Sequence, residues 1–139
     1  MDRAFYKAVK FYTKWAVIIT VLFGVCVIAS ADQIDDSLAI RAIIGEASGE
    51  GSRGMLAVSY AIRNRGTLKG VYGVNAKHVD KQPAWVWQMA KDAWQLSGKY
   101  PKSDPTKGAT HWESTDFKEP YWAKSMAKTV LIGKHQFYK

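Results

Sequence analysis

One carboxylate stands out in the stretch IIGEASGEGSRGMLAVSYAIRNRG, residues 43–66. Glu46 follows the apolar run Ile43-Ile44 and precedes Gly49, Gly51 and Gly54, after which a regular helical pattern begins. A glutamate at an apolar helix end is most often a solvated end residue or an ion-pair partner, here of Arg41 or Arg63. The alternative is a general acid. A carboxyl group in apolar surroundings resists ionisation, because desolvation disfavours the charged form, and a protonated glutamate near neutral pH can donate to a glycosidic oxygen. The local composition favours the second reading. Ile43 and Ile44 are available as a low-dielectric wall, and Gly45, Gly49 and Gly51 would let a substrate approach the backbone. Five of the six tryptophans (Trp85, Trp87, Trp94, Trp112 and Trp122) lie downstream, and aromatic faces stack on sugar rings. The spacing of Trp87 and Trp94 puts that pair on one helical face and predicts core packing for it.

The elements that must hold Glu46 follow from the hydrophobic periodicity. Asp36-Ser37 is the expected N-cap of a helix through LAIRAIIGEA, ended by the glycines. Ser52 is the expected cap of a second helix, RGMLAVSYAIRNR, with Gly66 as its stop. Residues 67–81 read as loop. Pro83 fits the first turn of a third helix, AWVWQMAKDAWQLS, closed by Gly98. ATHW reads as a short strand, Glu119-Pro120 as the start of a helix through Lys128, and TVLIGKHQFY as strand character around a turn at Gly133, able to pair with ATHW. The fold class is α+β, mainly helical, with a small β-hairpin.

Residues 1–31 carry a different signal. Arg3, Lys7, Lys10 and Lys14 precede an uncharged stretch of 17 residues, Trp15 to Ala31, that ends in Ala29-Ser30-Ala31. That is the layout of a secretory signal peptide or a short signal anchor, with the remainder delivered outside the cytoplasmic membrane. Residues 32–139 are then one exported domain. Removing residues 1–31 takes four basic residues and one acidic residue from totals of 20 and 12, so the net charge falls from +8 to +5. A basic exported domain suits an anionic wall polymer, and export argues against nucleic acid as a partner. The single cysteine, Cys26, lies in the apolar segment, so no intramolecular disulfide can form, and one Cys with three scattered His lacks zinc-ligand spacing. A zinc or cysteine peptidase or amidase is disfavoured on that ground. A basic wall-binding module without activity is the non-enzymatic alternative.

The blocks GEASGEGSRGMLAVSYAIRNR, GATHW and PYWAKSMAKTVLIGKHQFYK together resemble the SleB-type cell wall hydrolases, the spore-cortex-lytic enzyme family. The order and approximate spacing hold over about 100 residues. KQPAWVW departs from the family's Q-P-x-Q-F-S-like stretch, which leaves subsites between Thr67 and Trp87 without a counterpart. The resemblance implies a lysozyme-like fold of the lytic transglycosylase kind. It implies cleavage of peptidoglycan between N-acetylmuramic acid and N-acetylglucosamine, without cofactor or metal, by a monomer. It makes Glu46 the catalytic acid. It puts Asn64, His111, Trp112, Tyr121 and Trp122 on the substrate side, with Glu50 in the same group and expected to act structurally by holding the loop or a helix N-terminus. A hydrolytic muramidase acting on the same bond needs a second carboxylate. The sequence offers Glu50, Glu113 and Asp116 for that role. A bacteriophage lysis or infection enzyme and a bacterial wall-remodelling enzyme both fit such a chain.

Overall fold

The computed structural model describes residues 33–139, which fall within a compact unit of their own. The expected signal peptide or anchor over 1–31 lies outside the described residues. Among those described, no helix is long and apolar enough to cross a membrane.

Three helices form the body. Helix α1 spans Asp36–Ala47. Its N-cap is Asp35, one residue before the expected pair, because the Asp35 carboxylate accepts the Leu38 N–H at 3.0 Å. Ala39, Ala42, Ile43 and Ala47 recur at helical spacing and form its buried face. A 3-10 turn, Ser48–Glu50, leads into α2, Gly51–Arg65. Ser52 therefore lies inside the helix rather than capping it. Gly66 ends α2 as expected, in the left-handed region at φ 72°, with its N–H on the carbonyls of Ile62 and Arg63.

Helix α3 spans Ala84–Lys99 after Pro83, and so runs past Gly98. The physical reason is Arg63. Its guanidinium lies 3.6 Å above the Trp94 ring, and it donates to the Trp94 carbonyl at 2.7 Å and the Ser97 hydroxyl at 2.8 Å. A Cβ at Gly98 would come within 2.8 Å of that guanidinium, so the glycine seats the arginine instead of stopping the helix. Trp94 also donates its indole N–H to Asp36 at 2.7 Å, which ties α3 to the first turn of α1. Trp94 is buried and Trp87 packs against the core as the periodicity predicts, whereas Trp85 is exposed.

The predicted hairpin is part of a three-stranded antiparallel sheet. Strands β1 (His111–Ser114), β2 (Lys128–Ile132) and β3 (His135–Tyr138) are ordered β1-β3-β2. Trp112 pairs with Phe137 and Glu113 with Gln136, so ATHW does join the C-terminal hairpin. The expected helix from Glu119 to Lys128 is only a 3-10 turn, Tyr121–Ser125. Lys128 already pairs with Tyr138, and Ala127 exchanges both backbone hydrogen bonds with Lys139, so the chain must be extended by Ala127. The core combines Ile43, Ile44, Met55, Val58, Ile62, Val79 and Val86 with Phe137 of the sheet.

Phe137 is the largest fully buried side chain. Truncation to alanine removes the sheet's main apolar contact with the helices and leaves a cavity. Phe137→Ala is expected to cost about 3–5 kcal/mol, read from urea denaturation of residues 32–139. A loss under about 1 kcal/mol would contradict this account of the core.

Candidate functional site

Glu46 sits in the last turn of α1, half-buried, one helical turn on from Ile43. Both Ile43 and Ile44, expected as a low-dielectric wall, are fully buried in the core, and neither lines the cavity that Glu46 borders. The wall comes from other segments. Glu46 lines a cavity of about 370 Å³ together with Arg65, Gly70, Val71 and Tyr72 from the end of α2 and the following loop. His111, Trp112 and Glu113 of β1 and Trp122 of the 3-10 turn complete it.

Two neutral donors fix the carboxylate. The Gly73 backbone N–H donates to Oε1 at 2.7 Å, and the Trp112 indole N–H donates to Oε2 at 3.1 Å. The first bond requires a close approach of backbones. A Cβ on Gly73 would lie 2.7 Å from both the Ala42 carbonyl oxygen and Glu46 Cγ, and a Cβ on Gly45 would overlap the Gly73 backbone. Gly45 therefore serves packing within the protein, not the approach of a substrate. Gly49 and Gly51 have open space around them.

The aromatic side of the cavity is built on β1. Trp122 packs against His111 at 5.3 Å with the rings tilted by 45°, and meets the Tyr138 ring edge-on at 5.3 Å. Burial lowers the His111 pKa, and the positive charge of Arg65 lowers it further. Arg65 is held at the cavity by donating to the Lys69 carbonyl at 2.7 Å.

Of the residues named from sequence, Glu46, His111, Trp112 and Trp122 come together here. Asn64, Tyr121 and Glu50 do not line this cavity. Asn64 turns away along α2 and donates to Asp104 at 2.9 Å and to the Ala109 carbonyl at 3.0 Å. Tyr121 is 87% exposed, with the Lys124 ammonium 5.7 Å from its ring. Glu50 accepts the Lys134 N–H at 2.9 Å and so ties the start of α2 to the β2–β3 turn. Of the three possible second carboxylates, Asp116 pairs with the Lys134 ammonium at 2.9 Å, and Glu113 alone borders the cavity. Three participants were missed from sequence. Tyr72 and the Gly73 N–H lie in the stretch read as plain loop, where the signal was a Gly beside an aromatic in VYGVN. Arg65 was visible only as the partner of Asn64 in the N-R pair.

Asn64 acts through the loop that feeds β1. Asp104 accepts four hydrogen bonds, from the Thr106 N–H (2.7 Å) and hydroxyl (2.6 Å), the Gly108 N–H (2.8 Å) and the Asn64 amide. Burial alone would raise its pKa. These bonds outweigh that effect and hold the carboxyl below its ordinary value. A depressed pKa gives stability that is present above the unfolded carboxylate pKa, about 4, and lost as pH falls through the folded one. Melting temperatures of residues 32–139 between pH 2 and 7 are therefore expected to fall on acidification, and less steeply in Asn64→Ala. That variant should also lose roughly 1 kcal/mol at pH 7. Identical pH slopes in the two proteins would rule this out.

No protein-family model and no curated protein matches the sequence. Solved structures do match. The catalytic domain of the Bacillus cereus SleB protein aligns at 24% identity and TM-score 0.52, over 75% of this chain and 88% of that one. The catalytic domain of the germination-specific lytic transglycosylase SleB from Bacillus anthracis aligns at 25% identity and TM-score 0.52, over 81% of this chain and all of that one. The likeness seen in the motifs is thus matched in three dimensions, and over most of its length this chain has the fold of the SleB catalytic domains.

Proposed function

We propose that the chain is a peptidoglycan lytic enzyme that cleaves between N-acetylmuramic acid and N-acetylglucosamine as a lytic transglycosylase. The observation that carries this reading is Glu46, a carboxyl group aimed into a cavity by two neutral N–H donors. The SleB-like fold supports it.

In the proposed step, Glu46 protonates the oxygen of the leaving sugar as the bond from that oxygen to C1 breaks. Positive charge develops on the muramic acid ring. Its own 6-hydroxyl oxygen then attacks C1, and the hydroxyl proton passes to Glu46. The product is a 1,6-anhydro sugar, the acid is regenerated, and no water is consumed. The donors from Gly73 and Trp112 hold the carboxyl in one orientation, so the same group serves both proton transfers without rearranging. Trp122 and the exposed Tyr72 offer aromatic faces for the sugar rings, and Arg65 offers a fixed positive charge beside them. Asn64 positions β1 from behind. Residues 1–31 would export or anchor the domain so that it faces the wall, in a bacteriophage lysis or infection enzyme or in a bacterial remodelling enzyme.

Glu113 favours one second reading. It borders the same cavity, and a second carboxylate is what a hydrolytic muramidase needs. Mass spectrometry of the soluble products from isolated peptidoglycan separates the two. Anhydro-muropeptides are expected, and reducing, hydrated muropeptides would move the assignment to the muramidase. Glu46→Gln is expected to keep its circular dichroism spectrum and melting temperature and to lose at least about a thousandfold in lysis, on the order of the contribution of a general acid. Near-normal lysis by that variant would sink both mechanisms.

A further inference from the structure

A second cavity, of about 240 Å³, lies on the outer face of the sheet and adjoins the first through Glu113, which lines both. Trp112 turns to Glu46, and Glu113 turns to the opposite face beside its cross-strand partner Gln136. Phe117, Glu119, Lys128 and Tyr138 complete the lining.

The chemistry of this recess differs from that of the rest of the chain. The exported domain is basic, yet here two carboxylates face one ammonium. Lys128 is committed to Glu119 at 2.8 Å, and the Tyr138 hydroxyl is 3.3 Å from the same carboxylate oxygen. Glu113 thus carries the excess negative charge. Its carboxylate accepts the Ser114 N–H at 3.0 Å, and among the described residues no cation pairs with it. The Gln136 amide donates to the carbonyls of Val130 (3.1 Å) and Phe137 (3.0 Å), which fixes the amide and leaves its oxygen as an acceptor. Phe117, 71% exposed, adds an apolar and π surface. Uncommitted acceptors with excess negative charge beside an exposed ring suit an alkylammonium group.

We propose that this cavity is a subsite for the peptide stem of the substrate and that it recognises the stem's free side-chain ammonium through Glu113. This rests on the reading of Glu46 as the acid that cuts the glycan. The muramic acid at such a site carries the stem on its lactyl group, and the diamino acid of the stem is the positively charged part of an otherwise anionic polymer. Because Glu113 lines both cavities, the second one adjoins the place where a sugar at Glu46 would carry that substituent. The lytic activity is therefore selective for stems whose amine is free.

The test uses the full-length chain in mild detergent and two substrates, sacculi with free diamino-acid amines and the same sacculi N-acetylated with acetic anhydride. The readout is the ratio of initial rates of muropeptide release. Wild type is expected to cut the free-amine sacculi about tenfold faster, the scale of one charge-assisted hydrogen bond. In Glu113→Gln the ratio should fall to near one, and Glu113→Asp should restore part of it. Phe117→Ala, outside the Glu46 cavity, should lower the ratio about threefold, as for loss of one cation–π contact. Equal wild-type rates on the two substrates would overturn the subsite and leave the glycan-cleaving reading intact. So would a Glu113→Gln ratio unchanged from wild type, or complete inactivity of Glu113→Gln together with an unchanged ratio in Phe117→Ala. Failure to release product from either substrate would overturn both readings.

Discussion

The contact on which the site depends is made by backbone. The last turn of α1 and the loop after α2 approach so closely at Gly45 and Gly73 that neither position has room for a side chain. That approach brings the Gly73 N–H to Glu46 Oε1. A side chain on either glycine would push the loop away, and the carboxyl would lose one of its two donors. The same loop carries Tyr72 and Val71 to the cavity wall, so the glycine pair sets the width of the cleft as well as the orientation of the acid. The constraint at Gly45 and Gly73 is thus one of volume, because neither residue has a left-handed backbone.

The second donor depends on a longer chain of support. Trp112 reaches Glu46 from β1, a strand of four residues that could not hold a position by itself. It is fixed on one side by β3, through the Trp112–Phe137 pair, and at its entrance by the loop from Asp104 to Ala109. Asp104 closes that loop upon itself, and Asn64 clamps it to the end of α2. Glu50 does the corresponding work on the other side, joining the start of α2 to the turn between β2 and β3. Both ends of α2 are therefore tied to the sheet by polar side chains, and the sheet presents Trp112 to the acid as a consequence.

This division of labour explains what could be read from the sequence. The helices were legible because periodicity and stop signals are local, and the C-terminal hairpin was legible from its strand character around Gly133. Glu46 stood out because a carboxylate at an apolar helix end breaks a local rule, and it does border a cavity. The errors arise where a tertiary partner overrules a local preference. Gly98 looks like a helix stop and instead makes room for Arg63. The 119–128 segment has helical composition, but the strand pairing of Ala127 and Lys128 takes its end and leaves only a 3-10 turn before it. Asn64 has the side chain of a sugar-binding residue and is consumed by a loop clamp. The Gly73 N–H carries no side-chain identity at all, so no reading of residue types could have placed it at the acid.

The separations along the chain have a further consequence. The donors of Glu46 lie 27 and 66 residues away from it, one on a loop and one on the sheet. An isolated α1 would leave the carboxyl free in solvent, and a helical body without the sheet would supply only the Gly73 bond. The oriented carboxyl therefore exists only when helices, loop and sheet have docked together, and the cavity walls share that requirement. Opening of the sheet alone would break the Trp112 bond and remove Trp122 and His111 from the cavity in the same event. The two-donor geometry of Glu46 is thus a property of the whole domain rather than of any one element.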